Sequence, residues 1–163
     1  MKTLLVLRHA KSSWNDSALD DHERPLNERG RRDAPRIGEL VQEYELLPDV
    51  VISSDAVRAQ LTAEALAEAA GYAGEILFDE RLYLASPAEI ILVLRTMRED
   101  AETIMIVGHN PGLEELVERL TGERQDMPTA ALAQIGLPID RWRDLKLSTR
   151  GTLLGHWQPR ELT

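Results

Sequence analysis

The chain has 163 residues and no cysteine. Disulfides, thiolate nucleophiles and cysteine-ligated zinc are therefore excluded. Long apolar runs are also missing. The amino-terminal one, Leu4 to Leu7, is too short for a signal-peptide core or a bilayer span. The expectation is a cytoplasmic chain with no membrane partner, in which the sequon Asn15-Asp16-Ser17 is a chance match. Positive charge is scarce: 19 Lys and Arg stand against 28 Asp and Glu, giving a net charge of −9. Nucleic-acid surfaces need a basic stripe, so no nucleic-acid partner is expected. Trp14, Trp142 and Trp157 are too scattered to form a base-stacking platform.

What is present suits a globular protein. A hydrophobic content of 43% over this length predicts one compact domain, residues 1–163, with a sizeable core. Apolar runs alternate with helical stretches, the pattern of an α/β protein with a mostly parallel sheet. Strands are predicted at Thr3 to Leu7, Asp49 to Ser53, Glu75 to Phe78 and Thr103 to Val107. Helices are predicted at Gly30 to Glu45, Asp55 to Ala70, Pro87 to Met97 and Pro111 to Thr121. Ser86 and Glu89 form a capping box around Pro87, and Asn110 before Pro111 reads as a second helix cap. Ala130 to Leu137 and Thr152 to Trp157 read as strands completing one sheet edge, at least one of them antiparallel, joined by the polar loop Pro138 to Gly151.

Titratable groups gather where strands should end. Arg8-His9 follows the first strand, Arg58 lies one turn into the helix after the second, and His109 follows the fourth. Taken singly, each is ordinary: a histidine after a strand is commonly structural, and Arg58 has Asp55 as an available ion-pair partner. Together they converge on the carboxyl edge of a parallel sheet, where ligands bind. Helix N-termini after Ser54 and Asn110 would add N–H donors for an anion. Phosphate is the leading candidate, and an acidic total does not prevent a few arginines from dominating one pocket.

These segments resemble the histidine phosphatase superfamily, which includes the phosphoglycerate mutases. Arg8-His9-Ala10-Lys11-Ser12 is similar to its "RHG" signature, and Pro25-Leu26-Asn27-Glu28-Arg29-Gly30 to "LTxxG". Ser53-Ser54-Asp55-Ala56-Val57-Arg58-Ala59-Gln60-Leu61-Thr62-Ala63 is similar to "SxxxRAxQTA", and Gly108-His109-Asn110 matches the second-histidine motif. Small size and Arg24-Pro25-Leu26 point to the SixA-like phosphohistidine phosphatase branch. The resemblance implies a three-layer α/β/α sandwich of the phosphoglycerate mutase type. It makes His9 the nucleophile and Arg8, Arg58 and His109 the ligands of the phosphoryl oxygens.

Several further residues stay open. Arg24 on the loop before the first helix is a fifth candidate cation, and Ser12 and Lys11 are candidates for the pocket mouth. Asn15 is either the asparagine of the mutase "RHGxSxxN" pattern or a turn residue beside Asp16. His22 reads as part of a solvated polar loop and His156 as a packing residue. No carboxylate–histidine cluster has metal spacing, so neither metal nor cofactor is expected.

The chain departs from the family at the leaving-group acid. Relatives carry a glutamate where this chain aligns Tyr83, or an aspartate where it has Asn110; Glu80, Asp16, Asp20 and Asp21 are the alternatives. An alkoxide leaving group needs a general acid far more than imidazole does, which favours phosphohistidine as substrate. Ala10 replaces the family's usual glycine. Three functions follow as expectations: hydrolysis of phosphohistidine on a protein such as a phosphotransfer domain or phosphocarrier, hydrolysis of a small phosphate ester, or non-catalytic phosphate binding. Nothing in the sequence requires more than a monomer.

Overall fold

The computed structural model describes residues 1–159, so positions 160–163 of the expected domain lie outside the described residues. Among these the chain runs β1 (Lys2–Arg8), α1 (Glu28–Glu43), β2 (Val50–Ser54), α2 (Val57–Ala70), β3 (Ile76–Asp79), α3 (Pro87–Leu94), β4 (Thr103–Gly108), α4 (Gly112–Thr121), β5 (Leu132–Leu137) and β6 (Thr152–Trp157). Three short 3-10 turns, Asp21–Glu23, Glu80–Leu82 and Trp142–Asp144, punctuate the loops.

One six-stranded sheet has the order β3-β2-β4-β1-β5-β6. The first four in that order are mutually parallel, β5 runs antiparallel to β1, and β6 antiparallel to β5. Side chains alternate between its faces. Leu4, Val6, Ile52, Ile104 and Ile106 pack with Ile90 and Leu94 of α3 and Leu113 and Leu116 of α4. Leu5, Leu7, Val51, Met105 and Val107 pack with Ile37 and Val41 of α1 and Ala63 and Leu66 of α2. The result is the expected sandwich, with a helix pair on each face. Burial on both faces explains why β1 and β4 read as continuous apolar runs rather than alternating ones. β3 read weakly because it is an edge strand, with Leu77 and Phe78 left partly exposed.

Local details differ from the expectations in instructive ways. The capping box at Ser86 and Glu89 is present, but Asn110 caps nothing. Its amide is engaged by Glu114 Oε1 (2.9 Å) and the Met127 carbonyl (2.8 Å), and α4 begins at Gly112. α1 starts earlier than predicted, with Asn27 accepting from the Gly30 N–H. The loop before β6 is no simple polar excursion. Trp142 plugs one core layer with no exposed surface, and its indole N–H donates to the Ala101 carbonyl at 2.8 Å.

Candidate active site

Pairing of Arg8 with Gly108 across β1 and β4 sets His9 beside His109. The His9 N–H donates to the Gly108 carbonyl at 3.1 Å, and the imidazole centroids are 5.1 Å apart. From the neighbouring β2 end, Arg58 in the first turn of α2 reaches back between them. Arg8, His9, Arg58 and His109 thus line one pocket of about 220 Å3, together with Lys11, Ser12, Trp14, Arg24, Leu84, Asn110 and Thr129.

His9 is buried, with its Nδ1 2.7 Å from the Ala10 carbonyl. A carbonyl only accepts, so this bond assigns the ring proton to Nδ1 and leaves Nε2 unprotonated, its lone pair turned toward Arg58. Arg58 Nε lies 3.4 Å from that nitrogen. Burial, reinforced by Arg58, Arg8 and Arg24, pushes the His9 pKa down to about 4 despite the Ala10 bond. The supporting carbonyl is itself held: the Ala10 N–H donates to Thr62 Oγ1 at 2.9 Å, and that hydroxyl donates to the Arg58 carbonyl at 2.7 Å. One helix therefore carries both the guanidinium and the anchor of the His9 loop. Ala10 lies outside the left-handed backbone region, so alanine fits there without strain. Gly30 has a stricter reason to be glycine, since a Cβ there would stand 2.2 Å from the Lys11 carbonyl oxygen. The first turn of α1 packs directly on the loop after β1.

His109 is held differently. Arg58 Nη2 lies 3.4 Å from its Nδ1, and its Nε2 lies 2.8 Å from Ser54 Oγ. Guanidinium cannot accept, so this pattern assigns the proton to Nε2, which donates to Ser54. Burial, then His9 and Arg58, push its pKa down to about 3. Both imidazoles are therefore neutral near pH 7. Arg8 donates from Nη1 to the Met127 carbonyl at 3.1 Å, while its Nε is buried with no partner among the described residues.

The carboxylate of this site is Asp21. Its Oδ1 accepts from Arg24 Nε and Nη2 (3.1 and 2.9 Å), and its Oδ2 from Arg58 Nη2 (3.0 Å) and the Tyr83 hydroxyl (2.5 Å). Its backbone carbonyl takes Arg58 Nη1 at 2.6 Å. The Tyr83 hydroxyl, with Arg24 and Arg58, holds this carboxyl far below the usual carboxylate range. Burial and Asp21 push the Tyr83 hydroxyl up. Asp21, not Asp55, is thus the ion-pair partner of Arg58. Asp55 instead meets His22 Nε2 at 2.8 Å, and His22 packs edge-on against Tyr83. His22 is therefore a buttress of the site rather than a loop residue surrounded by water.

The remaining expectations divide. Arg24 is buried beneath the Trp14 ring, 3.5 Å from its centroid, and donates to Ser12 Oγ at 2.6 Å; both residues line the pocket. Lys11 lines it as well. Asn15 does not: it is exposed and borders the adjoining cleft, its N–H bonded to Ser13 Oγ at 3.1 Å. Its main-chain bond is that of a turn residue. Glu80, Asp16 and Asp20 are exposed and absent from the pocket lining. His156 bonds the Asp126 carbonyl at 2.8 Å, away from the pocket. Among the described residues no group of three or more His, Asp or Glu side chains is arranged to hold a metal ion. Nor is any helix long and apolar enough to cross a membrane. Sequence reading missed the anchors Ser54 and Thr62, the rim residues Leu84 and Thr129, and the cover that Trp14 provides. The motif "SxxxRAxQTA" contained a signal for the first two, as small hydroxyls flanking the arginine.

The chain belongs to the histidine phosphatase superfamily, and residues 4–83 match the sequence profile of its branch 1. It falls in the SixA-like part of that family, among phosphatases and phosphomutases. An uncharacterised chloroplast protein of Arabidopsis thaliana is 34% identical over 152 residues, covering 88% of this chain and 70% of the relative. An uncharacterised protein of Mycobacterium tuberculosis is 30% identical over 165 residues, covering 94% and 100%. Among solved structures, a candidate phosphohistidine phosphatase SixA from Agrobacterium tumefaciens superposes with a TM-score of 0.83 at 27% identity, over 97% of this chain and 98% of that one. In fold alone, the protein histidine phosphatase SixA complexed with tungstate is equally similar, with a TM-score of 0.82 at 19% identity.

Proposed function

We propose that this chain hydrolyses phosphohistidine on a protein, such as a cytoplasmic phosphotransfer domain or phosphocarrier, through a transient phosphoryl group on His9. The Nε2 lone pair of His9 attacks phosphorus in line, and the P–N bond of the substrate breaks. The bonding pair leaves with the substrate imidazole, which departs neutral when its other ring nitrogen carries the proton. Water then attacks the phosphoryl-His9 and releases inorganic phosphate. Arg8, Arg58 and His109 hold the non-bridging oxygens, with Arg24 and Ser12 at the mouth. Arginine suits this because its planar fork pairs with two phosphoryl oxygens at once. Phosphoryl transfer asks chiefly for positioning and charge stabilisation, which these side chains supply without a metal.

One observation carries the choice of substrate. Two carboxylates are bonded to side chains of the pocket: Asp21 is engaged by two arginines and a tyrosine and stays ionised, and Glu114 spends its Oε1 on the Asn110 amide and the Met127 N–H. Tyr83 and Asn110 stand at the two positions where relatives keep an acid, and neither is one. A phosphoester would have to expel a strongly basic alkoxide unaided, whereas imidazole is a far better leaving group. The SixA-like neighbours support the same substrate class. The test compares turnover of a phosphohistidine-bearing photransfer domain with a panel of phosphomonoesters. Preference for the phosphoprotein, with radiolabel trapped on His9 and lost in His9→Ala, is expected; faster ester cleavage would reverse the assignment. The ester reading has support of its own in a related fold, a glucosyl-3-phosphoglycerate phosphatase with a TM-score of 0.67 at 19% identity.

A further inference from the structure

A broad depression adjoins the reaction pocket and shares Lys11, Ser12 and Trp14 with it. Its floor and wall are the loop after β1 and the exposed start of α1, including Arg29 and Arg32. In a chain of net charge −9, this cleft presents Lys11, Arg29 and Arg32 against the single carboxylate of Glu28. The arginines are also held in place. Asp33, 2% exposed, lies 3.6 Å from Arg29 and 3.4 Å from Arg32, and 3.6 Å from Arg36. Arg29 and Arg32 share this one buried carboxylate, so with Lys11 set against Glu28 the cleft keeps a net positive charge.

Two large, exposed apolar side chains line the reaction pocket, and one of them, Trp14, also borders this charge. Trp14 is 71% exposed, with one ring face on the Arg24 guanidinium. Leu84 is 56% exposed and holds a left-handed backbone at φ 51°, a conformation that bulky residues adopt only when their surroundings impose it. Tryptophan and arginine are the side chains that most often dominate the energy of a protein interface. An exposed tryptophan and leucine beside a fixed basic cleft make a surface for a folded partner rather than for a free phosphate.

We propose that the Lys11–Arg29–Arg32 cleft, with Trp14 at its edge and Leu84 on the reaction pocket it adjoins, docks an acidic surface of the protein whose phosphohistidine enters that pocket. The inference rests on the phosphohistidine reading above and adds where the partner binds and what charge it carries. Complementary charge of this kind speeds encounter and is screened by salt. The test uses an acidic phosphotransfer domain phosphorylated on histidine, with phosphoramidate as a small substrate needing no docking. The double change Arg29→Gln and Arg32→Gln raises KM for the phosphoprotein roughly tenfold at low ionic strength. It leaves kcat, and all turnover of phosphoramidate, unchanged. Glu28→Lys, which does not touch Asp33, moves KM for the phosphoprotein the other way. Equal KM for the phosphoprotein in all three forms overturns the docking surface while the function stands. Loss on both substrates alike also overturns it, by showing that the arginines act on the pocket or the fold. No turnover of any phosphohistidine protein by the unaltered chain overturns the function, and this surface with it.

Discussion

The ends of β1 and β4 look alike in sequence, each an apolar run closing on a histidine, yet the two imidazoles are held for different work. His9 donates its Nδ1 proton to a backbone carbonyl, and its unprotonated Nε2 accepts from Arg58 Nε at 3.4 Å. His109 donates its Nε2 proton to the Ser54 hydroxyl, and its unprotonated Nδ1 lies the same 3.4 Å from Arg58 Nη2. A carbonyl cannot move or ionise, so it locks one tautomer and one ring orientation. On the proposed function, the β1 end is the nucleophile and the β4 end an oxyanion ligand. Two neutral histidines in one pocket thus differ in what anchors them, a backbone carbonyl for one and a serine hydroxyl for the other.

The widest separation between these roles is expected on deletion. His9→Ala abolishes turnover, by at least ~10^4-fold, and removes the phosphoenzyme from a radiolabel gel. His109→Ala slows turnover but still shows label on His9. If both variants lose label equally, the distinction drawn here collapses. Arg58 serves both rings and the Asp21 carboxylate, so Arg58→Ala costs about 10²–10³ in kcat, measured at saturating phosphoprotein.

Asn110→Asp sharpens the contrast on the leaving-group side. It returns an acid to the position beside His109, and phosphomonoester turnover rises by roughly 10²-fold while phosphohistidine turnover holds. An unchanged ester rate would mean that the missing acid is not what sets substrate choice.

Acidity probes the same pair. On the proposed function neutral His9 attacks, and its pKa is pushed down to about 4, so His9 imposes no fall in kcat/KM until about pH 5 and a roughly tenfold fall per pH unit below about 4. A loss setting in on the acid side of 6.5 would show that His9 is not buried as described. Stability follows the same sign. Both histidines have folded pKa values below the ordinary 6.5, so the unfolded chain binds more protons between about pH 6.5 and 4. Stability is therefore intact above pH 6.5 and declines by an amount on the order of a few kcal/mol as pH falls through that window. Urea midpoints at successive pH values measure it, and His109→Gln flattens the slope. The smallest effect is expected for Ser54→Ala, which removes the His109 anchor and lowers kcat by a few-fold with His9 labelling intact.

Much of this was legible along the chain, for reasons that differ by element. β1 and β4 announce themselves because burial on both faces demands uninterrupted apolar residues, and β3 was faint because an edge strand is free of that demand. Arg8, His9, Arg58 and His109 were legible because parallel strands point their carboxyl ends the same way, so residues a hundred positions apart must meet. Other things are settled only when distant segments come together. That Asp21 rather than Asp55 pairs with Arg58, that Asn110 spends its amide on Glu114 and Met127, and that Trp142 fills a core layer all depend on contacts between loops. Periodicity along the sequence reports which face of an element is buried. It carries no record of which polar group a buried donor will find, because that depends on where the neighbouring segments come to rest.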